Sequence, residues 1–462
     1  MPDLYPPGVC PPPAPDPAGT AAGRNVTRRG LLASASVAGL GLVLEACAGG
    51  KPAGHAAQTA STVTVPVMQW ANVTVATTTR QIVSEFEKAY PNIRISLQIE
   101  PTTNFYSKLE TLFAAGTPPG LTFMDPATVL HYASAGALTD LEPLIAKDNY
   151  DISDYFAAAV QEYQFKGGLY GLSRGFGNQD IYYNIDLLDK AHLTPPPTSW
   201  TAGGWTFADY LTMAQRLTVR DSSGRTRQWG CYVDSGTRGW FPWVWNNGGH
   251  ILNATRTKSV MSGTATVAAL QFLQDLIYRY KVAPTPADLS SEDAAQQFAS
   301  GIMAMFEDIP ADVGFLRQSI GTRFAWGVAP MPKGPGGRYT SGGGIAYALP
   351  RAFPHQEEAW TVLKYLNSKA AMTQLTLTGG VFPPRKSVAD SPQYLQQAKY
   401  PLHMEVFVQA PAVVREDPLT IYWPQINNVW TQQLGSLWDG TTPAKQVCAT
   451  IDEQVNAILS GA

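Results

Sequence analysis

The chain has 462 residues, of which 45% are hydrophobic and 15% charged, a composition typical of a globular protein with two or three domains. Its formal net charge is −3, so no excess of basic residues is available to bind a phosphate backbone, and we expect no nucleic-acid partner. After residue 47 no apolar run approaches the roughly 18–20 residues that span a bilayer, so the body of the chain is expected to be soluble.

The N-terminal segment, residues 1–47, has the pattern of an export signal. Arg28 and Arg29 directly precede an apolar run at 31–44, and such paired arginines resemble a Tat signal peptide. The run ends at Leu-Glu-Ala-Cys, which resembles a bacterial lipobox with Cys47 as the acylated residue; Glu45 departs from the small or apolar residue that this motif prefers. The alternative is a short membrane anchor with an incidental cysteine.

Residues 48–61 are rich in Ala, Gly, Ser and Thr and predict a flexible tether behind the lipid anchor. Together with the signal this places the protein outside the cytoplasm, attached to the cell membrane only through its lipid. Removal of Cys10 with the signal and acylation of Cys47 leave Cys231 and Cys448, whose pairing the sequence leaves open. The six His residues are scattered without metal-ligand spacing, so we expect neither a metal nor a cofactor.

The body of the chain opens with an α/β alternation. Apolar and β-branched runs, strict alternation and helical spacing predict strands at 63–70, 93–99 and 121–124 and helices at 79–90 and 105–115. This alternation of strands and helices is typical of a mostly parallel sheet with covering helices.

Helices dominate the later part of the chain. A helix is predicted at 264–281, a strand at 301–306, and a helix opening at Pro424. The last helix is predicted to begin with Thr442 as its cap and Pro443 in its first turn.

Several segments follow one another in an order that carries more information than any one of them. They are Phe86–Ile93, Ala114–Pro119, Leu121–Asp125, Gly171–Ser173, Tyr182–Asn184, Trp245–Gly249, Gly301–Met305, Val328–Pro332, Gly342–Gly344, Thr378–Gly380 and Pro384–Val388. In this order the chain resembles the family 1 extracellular solute-binding proteins, which include maltodextrin- and glycerophosphodiester-binding relatives. The family usually has Pro-Asp where this chain has Pro119-Gly120.

The resemblance implies an α/β, two-lobe periplasmic-binding-protein-like (type II) fold with an interlobe hinge and ligand cleft. Lobe 1 would comprise 62–175 with 343–384, and lobe 2 would comprise 176–342 with 385–462. Hinge segments are expected near 173–180, near 337–345 and again near 385.

The resemblance also implies a function. The chain would be the monomeric, non-catalytic substrate-binding component of an ABC importer, capturing a small carbohydrate between its lobes and delivering it to the permease. A glycerophosphodiester or a polyol in the same role stays open. A secreted glycoside-active enzyme is the alternative from another class, since aromatic residues and paired carboxylates suit it too. No H-E-x-x-H or P-loop motif occurs.

Three candidate ligand-binding residues follow predicted strands of lobe 1, where ligands of open α/β sheets bind. Trp70 and Asn72 come after the first strand, and Asp125 comes after the third. The alternatives are a core role for Trp70 and a helix-capping role for Asp125.

The other candidates lie further along the chain. Asn178, with its neighbour Gln179, follows the first crossover and is either a ligand contact or part of a solvated hinge. Trp240, Trp243 and Trp245 crowd into six residues, and at least one of them is expected in the core. Trp243 and Trp245, with Asn246, are the candidates for the cleft. The remaining candidates are Asp308 after its strand, Gly343 with bare backbone, Arg385 as a clamp for an anion or as a lobe-to-lobe salt bridge, and Tyr422 and Trp423 as an aromatic platform.

Overall fold

A computed structural model describes residues 62–461 of the chain. The predicted signal peptide, the lipidation site Cys47 and the tether lie outside the described residues. Among the helices of 62–461, none is long and apolar enough to cross a bilayer.

The first part of the described chain alternates strands and helices as the sequence predicts. Its first helix begins six residues earlier than predicted, because Asn72 caps it by accepting a hydrogen bond from the backbone N–H of Val75. The elements are β1 (Val63–Gln69), α1 (Val73–Ala89), β2 (Ile93–Ile99), α2 (Thr102–Ala114), β3 (Leu121–Met124), α3 (Pro126–Ser134), α4 (Glu142–Asp148), α5 (Ala157–Gln161), β4 (Gln164–Phe165), β5 (Gly168–Leu169) and β6 (Leu172–Phe176).

The middle part is more helical. The predicted strand at 301–306 begins later, at Met305, and includes Asp308 as its last residue. The elements are β7 (Asp180–Asn184), α6 (Ile185–Lys190), α7 (Phe207–Leu217), β8 (Val219–Arg220), β9 (Thr226–Gln228), α8 (Thr237–Asn246), α9 (Thr264–Tyr278), α10 (Ala294–Ser300), β10 (Met305–Asp308), α11 (Val313–Ile320), β11 (Trp326–Ala329) and β12 (Thr340–Ser341).

The last part returns to the first sheet and then ends in helices. The cap predicted at Thr442 is wrong by one residue: the final helix is capped by Pro443, without a side-chain hydrogen bond. The elements are β13 (Gly344–Ala348), α12 (Gln356–Leu366), α13 (Lys369–Thr376), α14 (Lys386–Ala389), α15 (Pro392–Leu395), α16 (Glu405–Gln409), β14 (Val414–Arg415), α17 (Trp423–Trp438) and α18 (Ala444–Ser460); short 3₁₀ turns lie at Pro286–Leu289, Pro310–Asp312 and Ala410–Ala412.

Two sheets organise the described chain, and each has its own hydrophobic core. The larger sheet has the order β2-β1-β3-β13-β6; β1 is parallel to β2 and β3, and β13 is antiparallel to β3 and β6. The smaller sheet has the order β10-β7-β11, with both pairs antiparallel. We call the part built on the larger sheet lobe 1 and the part built on the smaller sheet lobe 2.

The chain crosses between the lobes at closely spaced points. The first crossover, 177–179, joins β6 of lobe 1 to β7 of lobe 2, and a second leads from β12 back to β13. The two crossovers touch, because the backbone N–H of Gly177 donates to the carbonyl of Gly343 at 2.5 Å. Further along, Phe382 packs in the core of lobe 2 while Val388 packs in that of lobe 1.

The two cysteines of the described chain are free thiols. Cys231 and Cys448 are both buried, and burial raises the pKa of each thiol to about 12. The pairing that the sequence left open is not formed in this structure.

Candidate functional site

The lobe 1 side of the cleft lies where parallel strands β1 and β3 end. Asp125 caps α3 by accepting from the backbone N–H of Thr128 at 2.8 Å, and it also accepts from the hydroxyl of Tyr106 at 2.6 Å. Asn72 caps α1 from the neighbouring strand end. Capping fixes both side chains at the sheet edge, so the capping role expected for Asp125 holds while its carboxylate keeps further acceptor capacity.

Trp70 forms an aromatic floor beside these polar groups. Its ring packs edge-on against Phe105, with centroids 4.6 Å apart, and against Phe123 at 5.3 Å. Only 8% of the residue is exposed. Most of the indole therefore belongs to the core, and the remaining edge can meet a ligand.

The first crossover is buried and not the solvated hinge that the sequence left open. Asn178 and Gln179 are 1% and 6% exposed. The Gln179 backbone is held by Thr340, whose hydroxyl accepts from its N–H at 2.8 Å and lies 2.7 Å from its carbonyl. The side-chain oxygens of Asn178 and Gln179 are buried without a hydrogen-bond partner among the described residues. Such orphan acceptors carry a desolvation cost that a ligand hydroxyl would relieve.

Two buried aspartates are register partners on β7 and β10. Asp308 pairs directly with Asp180, and each has one buried oxygen without a partner within 62–461. Burial raises the pKa of both groups well above the ordinary range of an aspartate. These carboxyls therefore favour the protonated form, which can both donate and accept hydrogen bonds.

The aromatic cluster of α8 is mostly core. Trp243 is 1% exposed and donates its indole N–H to Glu307 at 2.8 Å. Asn246 joins α8 to the segment before β12: its amide donates to the carbonyl of Pro332 at 3.1 Å, and its oxygen accepts from the N–H of Tyr339 at 2.7 Å. Trp245 lines a pocket of about 420 Å³ that also includes Arg256 and Arg415. Inside lobe 2 these side chains already have partners.

The second crossover carries a close approach between glycine and arginine. Gly343 has φ +145°, and a Cβ placed there would lie 2.5 Å from Nη1 of Arg238. Arg238 in turn bonds to Asp417. The backbone conformation therefore favours glycine at this position, and a larger residue would also have to displace the Arg238 guanidinium.

Acidic groups from both lobes meet around this arginine. The charge of Asp125 in lobe 1 contributes to raising the pKa of Asp417, although burial is the main cause and Arg238 opposes it. Burial raises the pKa of Glu162 to about 8, again opposed by Arg238. Asp125 of lobe 1 therefore lies close enough to Asp417 for their like charges to interact. No sequence motif marks Glu162, Arg238 or Asp417, which lie far apart along the chain and meet only in the folded protein.

Arg385 lies in a network inside lobe 1. Its guanidinium donates to the Asn367 carbonyl at 3.0 Å, to Asp154 at 3.1 Å and to the Tyr150 hydroxyl at 2.6 Å, and we call these four residues the Arg385 network. All members pack in lobe 1 or beside its core, so the salt bridge expected between the lobes is formed within one lobe. We leave Arg385 out of the site proposed below.

The aromatic platform predicted near the end of the chain begins a helix at the same edge as α8. Trp423 is the first residue of α17 and Tyr422 is its cap; both are half-buried, and Trp423 packs edge-on against Trp430 at 5.5 Å. Thr237 of α8 donates to Asn427 of α17 at 2.7 Å, so the first turns of the two helices adjoin. This places the platform near Arg238 and the second crossover.

Comparison with known proteins identifies the family. The sequence profile of the bacterial extracellular solute-binding proteins matches residues 70–373, which is more than half of the chain. The chain belongs to this family. Among relatives, the solute-binding protein is 25% identical over 330 residues to the arabinooligosaccharide-binding protein of Bacillus subtilis, covering 69% of this chain and 73% of that one.

Solved structures confirm the predicted two-lobe fold of this solute-binding protein. The ABC substrate-binding protein Lmo0181 from Listeria monocytogenes, in complex with cycloalternan, has a TM-score of 0.77 and 22% identity, covering 87% of this chain and 100% of that one. UgpB from Mycobacterium tuberculosis, in complex with glycerophosphocholine, has a TM-score of 0.74 and 20% identity, covering 86% and 98%. These similar proteins are binding proteins, and the family acts outside the cytoplasm.

Proposed function

We propose that this protein is the substrate-binding component of an ABC importer and captures a small carbohydrate, a mono- or oligosaccharide, for delivery to a membrane permease. The observation that carries the proposal is the cleft, where aromatic edges and orphan polar atoms from both lobes adjoin two touching crossovers. Membership of the solute-binding family and the ligands named for its similar proteins, an arabinooligosaccharide and cycloalternan, support it.

The chemistry of the cleft suits a polyhydroxylated solute. A sugar presents C–H faces that pack on aromatic rings such as Trp70 and Trp423, and hydroxyls that need paired donors and acceptors. Closure of the lobes would exclude water and so strengthen those hydrogen bonds. We propose as ligand contacts Trp70, Asn72, Asp125, Asn178, Asp308, Gly343, Tyr422 and Trp423.

A glycerophosphodiester or a polyol in the same role is the second candidate. The similar fold of the glycerophosphocholine-bound UgpB supports it, since one scaffold then serves both solute classes. A thermal-shift screen separates the two: maltotriose and an arabinotriose represent the first class, and erythritol and glycerophosphocholine the second. A rise in melting temperature of several degrees with a saccharide is expected. A rise with glycerophosphocholine alone would replace the saccharide by the second candidate.

The proposal includes binding without turnover. Incubation of the protein with the same oligosaccharides, followed by chromatography of the products, should return them unchanged. Release of shorter saccharides would overturn the binding-protein role in favour of a glycoside-active enzyme.

We further propose that export through a Tat-type signal and acylation of Cys47 attach the monomeric protein to the cell membrane. Replacement of Cys47 by Ser is expected to move the protein from the membrane fraction to the medium or periplasm. Persistence in the membrane fraction would contradict lipid anchoring while leaving the ligand proposal intact.

A further inference from the structure

Arg174 is a buried arginine in the strand that leads into the first crossover. It lies in β6, where the pairing with β13 shifts register between Ile345 and Ala346, so Arg174 has no direct partner in that ladder. The residue is 6% exposed, and its Cζ lies 5.3 Å from the centroid of the Phe123 ring.

The guanidinium of Arg174 lacks the partners that a buried arginine normally has. Its Nε and Nη2 atoms are buried without a hydrogen-bond partner, and no carboxylate of the described chain forms an ion pair with it. Burial accordingly lowers its pKa, with only Tyr347 acting in the opposite sense. A buried charge without a partner carries a large desolvation cost.

The fold does not lack the means to satisfy a buried guanidinium. Arg338, which is 7% exposed, donates to five backbone carbonyls between Ser199 and Trp205. Arg385 is equally buried and has three acceptors. The isolation of Arg174 is therefore a local property of its place in the sheet.

That place is the cleft edge of lobe 1. Phe123 contacts Arg174 on one side and Trp70 on the other, and Asp125 follows it by two residues. The third guanidinium nitrogen, Nη1, makes no hydrogen bond and is not fully buried, so it reaches solvent. The guanidinium thus opens outward beside the residues proposed to contact the ligand.

We propose that Arg174 is a specificity-determining ligand contact that donates paired hydrogen bonds to two neighbouring acceptor oxygens of the bound solute. A guanidinium presents parallel N–H groups that fit adjacent hydroxyls of a sugar or polyol, or the oxygens of a carboxylate or phosphate. The inference rests on the proposed function, because it takes the interlobe cleft as the ligand site.

The test compares Arg174→Met and Arg174→Lys with Arg94→Met, an exposed arginine of lobe 1 whose removal changes net charge equally. Titration calorimetry uses whichever of maltotriose, arabinotriose, erythritol and glycerophosphocholine shifts the melting temperature of the wild type most. The dissociation constant is expected to rise about 10- to 100-fold for Arg174→Met and less for Arg174→Lys. It is expected to change less than twofold for Arg94→Met.

A structural role for Arg174 would give a different result in the unliganded protein. Removal of an unpaired buried charge should leave the melting temperature of Arg174→Met equal to or above that of the wild type. A drop of several degrees in this melting temperature would overturn the inference, whether or not any of the four probes binds. Failure of all four probes to bind would count against the proposed function. A dissociation constant unchanged in Arg174→Met would overturn it while leaving that function intact.

Salt separates the two kinds of acceptor. If the wild-type affinity falls as ionic strength rises from 0.05 to about 0.5 M and Arg174→Met removes this dependence, the acceptor is an anionic group. If the wild-type affinity does not change with salt and Arg174→Met still binds more weakly, the acceptors are hydroxyls. Both results support the contact.

Discussion

Lobe 1 contains two buried arginines whose surroundings are opposite. Arg385 joins three acceptors and lies over the ring of Tyr155 at 4.4 Å, whereas Arg174 has a ring beside it and no acceptor. The sequence made Arg385 a candidate for an anion clamp or a salt bridge, whereas no sequence pattern marked Arg174. The comparison shows that a polar group fully paired within one lobe stabilises the fold, while one left unpaired at a cleft edge is available to a solute.

The largest expected effect is on stability, from the paired arginine. Arg385→Met should lower the free energy of unfolding by about 3 kcal/mol, because it removes the charged donor shared by Asp154, the Asn367 carbonyl and the Tyr150 hydroxyl. Arg174→Met should leave it unchanged or raise it, because no hydrogen-bond partner is lost. Urea unfolding followed by tryptophan fluorescence measures both, and equal losses would remove the distinction between the two arginines.

The second-largest expected effect is also on stability and comes from Gly343 in the second crossover, where the absence of a side chain leaves room for Arg238. Gly343→Ala should cost about 1–3 kcal/mol, because it combines a positive φ with a Cβ only 2.5 Å from the guanidinium. The control is Gly116→Ala, which has φ +72° and no neighbouring atom within 4 Å of a Cβ. If the control loses as much stability as Gly343→Ala, the contact with Arg238 contributes nothing.

A smaller effect should appear in ligand affinity alone. Trp423→Ala is expected to weaken binding of the best probe about tenfold, because an aromatic face contributes roughly 1–2 kcal/mol to a sugar complex. Tyr90→Ala removes an aromatic ring that is 41% exposed on lobe 1 and should leave the affinity unchanged. Calorimetry showing equal affinities for Trp423→Ala and the wild type would remove the platform from the cleft.

The smallest effect is a pH dependence caused by Glu162. Because burial raises its pKa to about 8, the folded protein holds a proton that the unfolded chain releases near pH 4.5. Its contribution to stability is therefore complete below pH 4.5 and is lost as pH rises toward 8. Between pH 6 and 8.5 the melting temperature of Glu162→Gln should fall less than that of the wild type, by on the order of 2 °C. Parallel curves would show that Glu162 is charged in the folded state.

Much of the fold could be predicted from local patterns. The alternation of apolar and polar residues at 93–99 predicted β2, and the helical spacing of apolar residues at 264–281 predicted α9. Both patterns arise because one face of a single strand or helix is buried. The start of α1 was missed because Val73 to Thr79 is rich in β-branched residues, and the Asn72 cap decides the boundary.

The site was less accessible to sequence reasoning. Asp125 and Asn72 could be found since both follow strands of a parallel sheet. The partners of Arg385 lie 18 to 235 positions away along the chain, and the isolation of Arg174 is a matter of what lies nearby in space. Three tryptophans within six residues of α8 likewise did not reveal that Trp243 faces Glu307 in the core.

The hydrogen bond between Gly177 and Gly343 links the two crossovers, so a rotation at one of them would move the other. The measured affinity of such a protein is the intrinsic affinity of the closed form multiplied by the fraction of molecules able to close. Substitutions in the crossovers can thus tune uptake at a distance from the solute, by shifting a population and without altering a single ligand contact.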